Sequence, residues 1–244
     1  MKEISRRSRF WDLTAFFYEQ FFGRFPPHRK LFKEIMKHVG DASSSSGVFL
    51  DAGCGPGLLS LQLAQRGHKV LGIDRSPEMI KRARKIRRRI KRAPLFFIQA
   101  DLNEGVGIRK ESLRRILMVH SLYLMNEPRK VLRNLAFALS ADGEIIMCNP
   151  CRRMTPAELW DGGKLFLINS LREDGVLSIF FFLPIVLVMG GLHFVIQFRK
   201  NRIYHCWDGK DIKELLKAGG FRLKWAHKSC NGDSHLLLCA EKDK

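Results

Sequence analysis

The residues best suited to chemistry surround a glycine-rich turn in the first quarter of the chain. An acid, Asp51, follows the apolar run Val48–Leu50, and a second acid, Asp74, ends another apolar run one helix length later. Between the two acids, glycines stand at three alternate positions, Gly53, Gly55 and Gly57. Strand, glycine turn, helix and strand form one half of a nucleotide-binding unit, in which glycines let the backbone approach the ligand. Because a carboxylate precedes the turn, we expect a ligand with a cationic group rather than a pyrophosphate.

Further polar residues are expected at the same edge of the sheet. Asp101 ends the stretch FFIQAD, and His120 ends the next apolar run. Ligands of open α/β sheets bind at the carboxyl ends of the strands, so these side chains are predicted to converge. His120 is a candidate general base because the reference pKa of histidine lies near neutral pH. Other candidates for the acceptor pocket or for the base are Ser121, Tyr123, Asn149 and His205.

The segment Asp51-Ala-Gly53-Cys-Gly55-Pro-Gly57 resembles the first motif of the class I S-adenosylmethionine-dependent methyltransferases, (Asp/Glu)-x-Gly-x-Gly-x-Gly. The resemblance extends over residues 47–150, with a weaker match over 207–242. It implies that the glycines lie against the methionine part of the cofactor, that Asp74 binds the ribose hydroxyls and that Asp101 faces the adenine amine. The cofactor-binding residues that it implies are Asp51, Gly53, Cys54, Gly55, Gly57, Asp74, Arg75, Met79, Asp101, Leu102 and His120.

The N-terminal segment carries a looser resemblance to the same family. Trp11-Asp12-Leu-Thr-Ala15-Phe-Phe-Tyr18-Glu19 is similar to the Tyr-Asp-x-x-Ala-x-x-Tyr-Asp segment of small-molecule methyltransferases, with Trp in place of the first Tyr. This implies that Tyr18 faces the cofactor or the acceptor. This similarity, together with that of the stretch VLRNLAFALSADGEII, indicates a resemblance to the small-molecule and quinone C-methyltransferase branch of the family. The candidate catalytic residues are therefore His120, Tyr18 and Tyr123.

Alternating strands and helices predict an α/β fold with a doubly wound, mostly parallel, Rossmann-like sheet, which in the family has seven strands. The fifth strand is predicted over 144–149 after an Asp142-Gly143 turn, and a final hairpin is predicted around Asn231-Gly232-Asp233. Four regions follow: a basic aromatic helical arm and linker (1–46), the cofactor-binding core (47–150), an insert or cap (151–206), and a helix and strand hairpin that complete the sheet (207–244).

The formal net charge of +19 is unusual and attracts polyanions, either nucleic acid or an anionic membrane leaflet. The stretch Lys81–Arg92 holds nine cations and no acid on a predicted helix.

The six cysteines are too sparse for a disulfide framework, which indicates a reducing compartment. We predict buried thiols rather than a metal site for Cys148 and Cys151. The first twelve residues do not have the pattern of a secretory signal.

The segment Val176–Phe198 has no charged residue, and as one helix it would be about 34 Å long, enough to cross a bilayer core of about 30 Å. If residues 207–242 complete the same sheet as 47–150, however, both flanks lie on one side of a membrane. We therefore predict that the segment enters and returns, lies flat on the membrane, or folds onto the domain. A buried lid and a true membrane span are the alternatives.

Helix breakers inside this apolar segment, Pro184 and Gly190-Gly191, favour two short arms at 176–183 and 192–198. The cations beside the segment suit an anionic headgroup layer, and they are Arg172, Arg199, Lys200 and Arg202. The N-terminal arm is predicted to be a helix with an aromatic face formed by Phe10, Leu13, Phe17 and Phe21, ending at Gly23 and Pro26-Pro27. This helix either caps the domain or lies in a membrane interface.

The sequence thus predicts an S-adenosylmethionine-dependent methyltransferase at the cytoplasmic face of a membrane. Its expected acceptor is lipophilic: a quinone precursor, an isoprenoid or sterol-like lipid, or a phospholipid headgroup. One alternative is an RNA or DNA methyltransferase that binds phosphates with Lys81–Arg92. The Asn/Asp-Pro-Pro-Tyr/Phe motif of amino-methylating nucleic-acid enzymes is missing from the end of the fourth predicted strand. A second alternative is a non-catalytic membrane adaptor that binds the cofactor.

Overall fold

The computed structural model describes residues 2–41, 47–88, 90, 94–198, 204–229 and 234–243. Strands in these ranges are β1 (Val48–Ala52), β2 (Lys69–Asp74), β3 (Leu95–Gln99), β4 (Leu113–Val119), β5 (Leu139–Pro150), β6 (Phe221–Lys228) and β7 (His235–Lys242). Helices are α1 (Lys2–Arg24), α2 (Pro26–Val39), α3 (Leu58–Gln65), α4 (Pro77–Arg87), α5 (Pro128–Ala138), α6 (Pro156–Asp174), α7 (Ser178–Phe198) and α8 (Gly209–Ala218). Strands and helices alternate through the core, as predicted.

The described strands form one sheet in the order β3-β2-β1-β4-β5-β7-β6. Neighbours from β3 to β5 are parallel, and β7 is antiparallel to both β5 and β6. The predicted α/β fold with a mostly parallel seven-stranded sheet is therefore confirmed. From β1 the chain adds β2 and β3 on one side and then returns to add β4 and β5 on the other side. Open sheets of this type bind ligands at such a reversal of strand order, beyond the carboxyl ends of the strands.

Helices cover both faces of the sheet, because both sides of its strands are apolar. On one face, α5 and α8 bury residues such as Leu132 and Leu216 against the strands. On the other face, α2, α3 and α4 bury residues such as Ile35, Leu63 and Ile80. Ser76 caps α4: its hydroxyl accepts a hydrogen bond from the amide of Met79 at 3.1 Å, and Pro77 is the first helical residue.

Two predicted boundaries differ in the structure. The Asp142-Gly143 turn is wrong, because these residues lie within β5, which begins at Leu139. The pairing of β5 with β4 slips there, from Leu113 opposite Leu139 to Arg115 opposite Glu144, so the extra residues form an irregularity within the strand. The predicted cationic helix ends at Arg87.

Some predicted features lie outside the described residues: the 42–46 part of the linker, Arg89, Lys91 and Arg92, the cations Arg199, Lys200 and Arg202, and the Asn231-Gly232-Asp233 turn.

The apolar segment forms one helix, α7, and not the two predicted arms at 176–183 and 192–198. Pro184 and the two glycines are accommodated inside it. The helix stays unbroken because buried apolar residues recur along it at alternating spacings of three and four. These residues pack along one side of the helix against α1 and α6. The stripe that they form consists of Phe182, Ile185, Met189, Leu192 and Ile196.

Helix α1 lies across the open end of the domain and contacts α4 and α7. It ends at Arg24, close to the predicted Gly23, and α2 then begins at Pro26. The predicted aromatic face is confirmed for Phe17 and Phe21, which pack on the cluster formed with α6 and α7, and is wrong for Leu13, which is 79% exposed. Trp11, Tyr18 and Phe22 pack on the same cluster. Asp12 fixes the helix to the start of α4 by accepting a hydrogen bond from the Ser76 hydroxyl at 2.6 Å.

Candidate functional site

A cavity of about 870 Å³ lies beyond the carboxyl ends of the strands and is roofed by α1, α6 and α7. It is large enough for a nucleoside cofactor together with a second molecule. Predicted site residues that line it are Tyr18, Gly53, Gly55, Asp74, Arg75, Met79, Asp101, Leu102, His120 and Tyr123. The structure therefore brings most of the predicted set to one place, and their contacts with a ligand stay predictions.

The glycine turn leaves bare backbone on the cavity wall. Gly53, Gly55 and Gly57 all have positive φ, at +80°, +53° and +82°. A Cβ on Gly53 would lie 2.5 Å from Cβ of Ser121, whose hydroxyl donates a hydrogen bond to the carbonyl of Ala52 at 2.7 Å. All three positions favour glycine for conformation, and Gly53 requires it for space as well.

Two carboxylates face the cavity beside this turn: Asp74 ends β2, and Asp101 follows β3. Asp74 accepts hydrogen bonds from the amides of Gly55 and Ser76, each at 2.9 Å. Burial raises the pKa of Asp74, although these two hydrogen bonds oppose the shift. Asp101 accepts hydrogen bonds from the backbone and side-chain amides of Asn103, at 2.9 and 2.7 Å. Both acids are thus held in fixed orientations from which they can accept hydrogen bonds from ligand hydroxyl or amino groups.

Three predicted cofactor residues support the turn from behind rather than line the cavity. Asp51 is buried and accepts a hydrogen bond from the Ser60 hydroxyl at 2.5 Å. Burial raises the pKa of Asp51 to about 6. Cys54 is buried, and burial also raises the pKa of its thiol. A Cβ on Gly57 would lie 2.7 Å from the Phe97 ring, so this glycine lets α3 approach β3.

His120 lies on the other side of β1, at the end of β4. Its φ of +54° is in the left-handed region, which few residues with a side chain adopt, so packing must hold it there. Its ring stacks on His28 with centroids 5.9 Å apart and meets His235 edge-on at 5.0 Å. Burial, and then the neighbouring histidines, lower the pKa of His120 well below its ordinary value. His120 is therefore neutral near pH 7.

The two candidate catalytic tyrosines also line the cavity. Tyr18 lies over the glycine turn, with Cε1 3.8 Å from the position that a Cβ on Gly55 would take. Burial raises the pKa of both Tyr18 and Tyr123. Their hydroxyls therefore stay protonated near neutral pH, which suits a hydrogen-bond donor and not a base. His205 contacts the carbonyl of Met125 through Nε2 at 3.1 Å, and Asn149 is buried.

Sequence reasoning did not include the other three histidines of this region, His28, His193 and His235. The sequence did contain a signal for His235. A final strand that runs antiparallel to its neighbour begins at the edge of the sheet where the parallel strands end, which is the edge that holds the site. In the structure His235 indeed lies opposite Pro150, the last residue of β5. His28 and His193 lie on helices whose approach to the cavity is set by tertiary packing.

Among the residues that the structure describes, no group of three histidine, cysteine or acidic side chains is arranged to hold a metal ion. The predicted CxxC pair has Cys148 buried within β5 and Cys151 partly exposed after it. The site is thus organised around carboxylates, bare backbone and neutral imidazoles.

Comparison with known proteins agrees with this geometry. A family model described as a methyltransferase domain matches residues 43–181, more than half of the chain. The chain belongs to the methyltransferase domain family. The predicted acids and glycines fall in the matched range, and this methyltransferase uses S-adenosylmethionine as its cofactor. The cavity fits that cofactor, because bare glycine backbone lies between two oriented carboxylates and the apolar side chains of Met79 and Leu102.

Individual relatives are distant. An uncharacterized methyltransferase of Schizosaccharomyces pombe is 47% identical over 57 residues, which is 23% of this chain and 21% of that protein. The 1,6-didemethyltoxoflavin-N1-methyltransferase of Burkholderia thailandensis has a similar structure, with TM-score 0.62, 15% identity, and coverage of 98% of this chain and 89% of that one. For magnesium protoporphyrin IX methyltransferase from Synechocystis the TM-score is 0.59, with 19% identity and coverage of 89% and 84%. Both solved structures share the fold of this methyltransferase.

Proposed function

We propose that this methyltransferase works at the cytoplasmic face of a membrane and methylates a lipophilic acceptor. One observation carries the proposal: α7 lines the cavity with one side and exposes a large apolar surface with the other. Phe180 is 78% exposed and Phe181 is 54% exposed, on a helix whose Met189, Leu192 and His193 line the cavity. The same helix would therefore contact both the acceptor and the lipid from which the acceptor comes.

The exposed apolar surface continues onto the neighbouring helices. We call these exposed side chains the apolar face, and its members are Leu13, Phe16, Trp160, Leu165, Ile168, Val176, Leu177, Phe180, Phe181, Leu183, Leu187, Val188, Phe194 and Val195. Five of them stand at the cavity as well, namely Trp160, Leu165, Leu183, Leu187 and Phe194. Soluble monomers rarely expose so many large apolar side chains together, and such a surface is typical of a membrane or protein interface. Lys164 lies over the Trp160 ring at 5.7 Å, a pairing that suits the headgroup level of a bilayer.

Positive charge beside the apolar face favours lipid over a protein partner. Arg82 of α4 lies over the ring of Phe16 at 5.3 Å and forms an ion pair with Glu19 of α1 at 2.9 Å. The outer side of α4 then carries exposed cations, which are Lys81, Arg84, Lys85, Arg87 and Arg88. Each cation near an anionic leaflet contributes roughly 1 kcal/mol to binding.

The path of the chain supports a helix that lies on the membrane and does not cross it. By length and composition, α7 is the one helix among the described residues that is long and apolar enough to span a bilayer. Yet β5 precedes it, β6 and β7 follow it, and all three are neighbours in one sheet. A crossing at α7 would place parts of that sheet on opposite sides of the membrane.

In the proposed reaction the protein binds, orients and excludes water. When bound, S-adenosylmethionine supplies an activated methyl group on a sulfonium. Asp74 and Asp101 hold the nucleoside by accepting hydrogen bonds, and the glycine turn allows close approach. Tyr18 and the helices above it keep water from the reacting atoms. His120 orients the acceptor at the end of β4, and the apolar cavity walls suit a small-molecule acceptor such as a quinone precursor.

Vesicle binding tests the membrane part of the proposal. We expect the protein to float with vesicles that contain phosphatidylserine, and Phe180→Glu in the apolar face to weaken binding at least tenfold. Phe137→Glu is the matched control, because Phe137 is a 55% exposed apolar residue on α5 outside the apolar face. Equal binding by the two variants, or no binding by the unmodified protein, contradicts the proposal.

Methyl transfer tests the acceptor. S-adenosylmethionine with a tritiated methyl group is incubated with the protein and either a total lipid extract or total RNA. We expect label in the lipid fraction. Label in RNA alone would establish the nucleic-acid alternative instead, and no label in either fraction contradicts methylation of a lipid.

A further inference from the structure

We infer that the acceptor carries a hydroxyl group and that His235 accepts its proton, within a chamber formed by His28, His120, His193 and His235. This inference rests on the proposed function, since it concerns the acceptor of the same site. It adds the chemical class of the reacting group and a catalytic residue.

The four histidines come from four different elements. His28 lies on α2, His120 ends β4, His193 lies on α7 and His235 begins β7. His120, His193 and His235 line the cavity, and His28 stacks behind His120. In the sheet order, β2 and β3, whose ends carry Asp74 and Asp101, lie on one side of β1. The strands β4 and β7, beside which His120 and His235 stand, lie on the other side. The chamber therefore lies on the side of β1 away from the acids, where we expect the acceptor.

The environment of His235 suits a base. Its side chain is buried, and its Nδ1 lies 2.9 Å from the hydroxyl of Ser234. Within the described part of the chain, no hydrogen bond reaches Nε2. When Nδ1 carries its proton and donates it to Ser234, Nε2 is an acceptor beside the cavity. The position of His120 is fixed by its strained backbone and by contacts on both sides, so His120 orients the acceptor against His235.

The charges around the chamber favour a neutral reacting group with a removable proton. Burial lowers the pKa of His28, His193 and His235 to about 4, so the chamber holds neutral imidazoles at pH 7. The charged groups nearest His235 are Arg152 and Glu158, which form an ion pair with each other at 2.6 Å. Neither an ammonium nor a carboxylate acceptor would find an opposite charge there, whereas a hydroxyl can donate to an imidazole.

The proposed step is balanced. The hydroxyl oxygen forms a bond to the methyl carbon, the carbon–sulfur bond breaks with its electron pair left on sulfur, and the hydroxyl proton passes to Nε2 of His235. The imidazolium later releases this proton to solvent. Because burial lowers the pKa of His235 to about 4, we expect a contribution near the lower end of the roughly 10²- to 10⁴-fold that general base catalysis supplies.

Binding of two probes tests the hydroxyl preference without relying on turnover. 4-Hexylphenol can donate a hydrogen bond, and 4-hexylanisole, its methyl ether, cannot. Calorimetry is done with saturating S-adenosylhomocysteine, so that the probe binds at the acceptor end. We expect the phenol to bind on the order of fivefold to tenfold more tightly than the ether. Equal affinities for the two probes overturn the inference.

Variants assign the preference to His235. We expect His235→Asn to lose the preference for the phenol while its affinity for the ether is retained. His227→Asn is the matched control, because His227 is exposed on β6 and pairs with Glu34. Ser234→Ala keeps the imidazole and releases Nδ1, and we expect it to lower the preference partly. An unchanged preference in His235→Asn overturns the assignment, and so does the same loss in His227→Asn.

Turnover provides a second readout. Transfer of tritiated methyl into the lipid extract should fall at least 100-fold in His235→Asn and stay unchanged in His227→Asn. Vesicle binding by His235→Asn should equal that of the unmodified protein. Membrane binding without the phenol preference would reject this inference alone. The phenol preference without membrane binding would reject the proposed function and leave the histidine chamber supported.

Discussion

The amide of Gly55 donates a hydrogen bond to Oδ2 of Asp74 at 2.9 Å. This contact joins the turn after β1 to the acid that ends β2. The other carboxylate oxygen, Oδ1, accepts a hydrogen bond from the amide of Ser76. Both oxygens are thus oriented before a ligand arrives, which lowers the entropic cost of binding.

Removal of this acid should abolish most cofactor binding. We expect Asp74→Ala to weaken binding of S-adenosylmethionine by about 2–3 kcal/mol, since charged hydrogen bonds to the ligand would be lost. Titration calorimetry measures the change. Asp211→Ala, at an exposed acid on α8, is the control. Unchanged affinity in Asp74→Ala would remove the assignment of this residue to the ribose.

The glycines of the turn should differ in their tolerance of a methyl group. In Gly57→Ala the new Cβ would meet the Phe97 ring at 2.7 Å and Ala83 at 3.1 Å, whereas in Gly55→Ala the nearest atoms are 3.8 Å away or more. Both substitutions strain a left-handed residue by about 1–2 kcal/mol. Gly57→Ala should lose a further 1–3 kcal/mol of unfolding free energy from overpacking, as measured by denaturant unfolding. Equal losses would show that Phe97 moves aside freely.

A second pair of glycines tests how closely α6 and α7 pack. A Cβ on Gly163 would lie 2.8 Å from Cγ1 of Val186, whereas a Cβ on Gly162 would lie at an ordinary 3.6 Å from the Phe25 ring. We expect Gly162→Ala to raise the free energy of unfolding by up to about 1 kcal/mol through better helix propensity. Gly163→Ala should lower it by about 1–3 kcal/mol, because α7 must shift. Thermal unfolding of both variants measures these changes. A Gly163→Ala variant that is more stable than the unmodified protein would contradict the close packing of α6 and α7 at this residue.

Acid should destabilise the fold through its buried histidines. The folded pKa of His28, His193 and His235 is lowered to about 4, and the unfolded value is about 6.5. Between these values the unfolded chain binds more protons, so stability rises with pH and is lost as the pH falls below about 6.5. Lowering the pH from 7.5 to 5 should cost on the order of a few kcal/mol, measured by denaturant unfolding.

Asp51 acts in the opposite direction. Its folded pKa is raised from 3.8 to about 6, so the folded state binds the extra proton and gains stability as the pH falls through this range. The stabilisation that Asp51 contributes in acid offsets only part of the loss of unfolding free energy that the three histidines cause. A variant with His28→Phe should therefore show a shallower loss between pH 7.5 and 5. A slope equal to that of the unmodified protein would contradict the assignment.

The sheet and the cofactor side of the site could be predicted from the sequence because their signals are local. Val48–Leu50, the glycine turn and Asp74 follow each other within one βαβ unit. Asp142-Gly143 misled the prediction of β5, because a typical turn pair also fits a strand irregularity. Its place is set by pairing with β4, which lies far away in sequence.

The acceptor side could not be predicted in the same way. In α7 nearly every position is apolar, so the stripe of Phe182, Ile185 and Met189 did not stand out against its neighbours. Which side of that helix is buried depends on α1 and α6. His28, His193 and His235 lie far apart in the sequence and meet only because α2, α7 and β7 converge on the end of β4.

The place of β7 between β5 and β6 links the chemistry to the completion of folding. His235 is the first residue of this inserted strand, and β6 has no other partner among the described strands. Until β7 docks, the sheet stays open and the proposed proton acceptor is missing. Docking of β7 therefore completes the sheet and, in the proposed step, supplies the base.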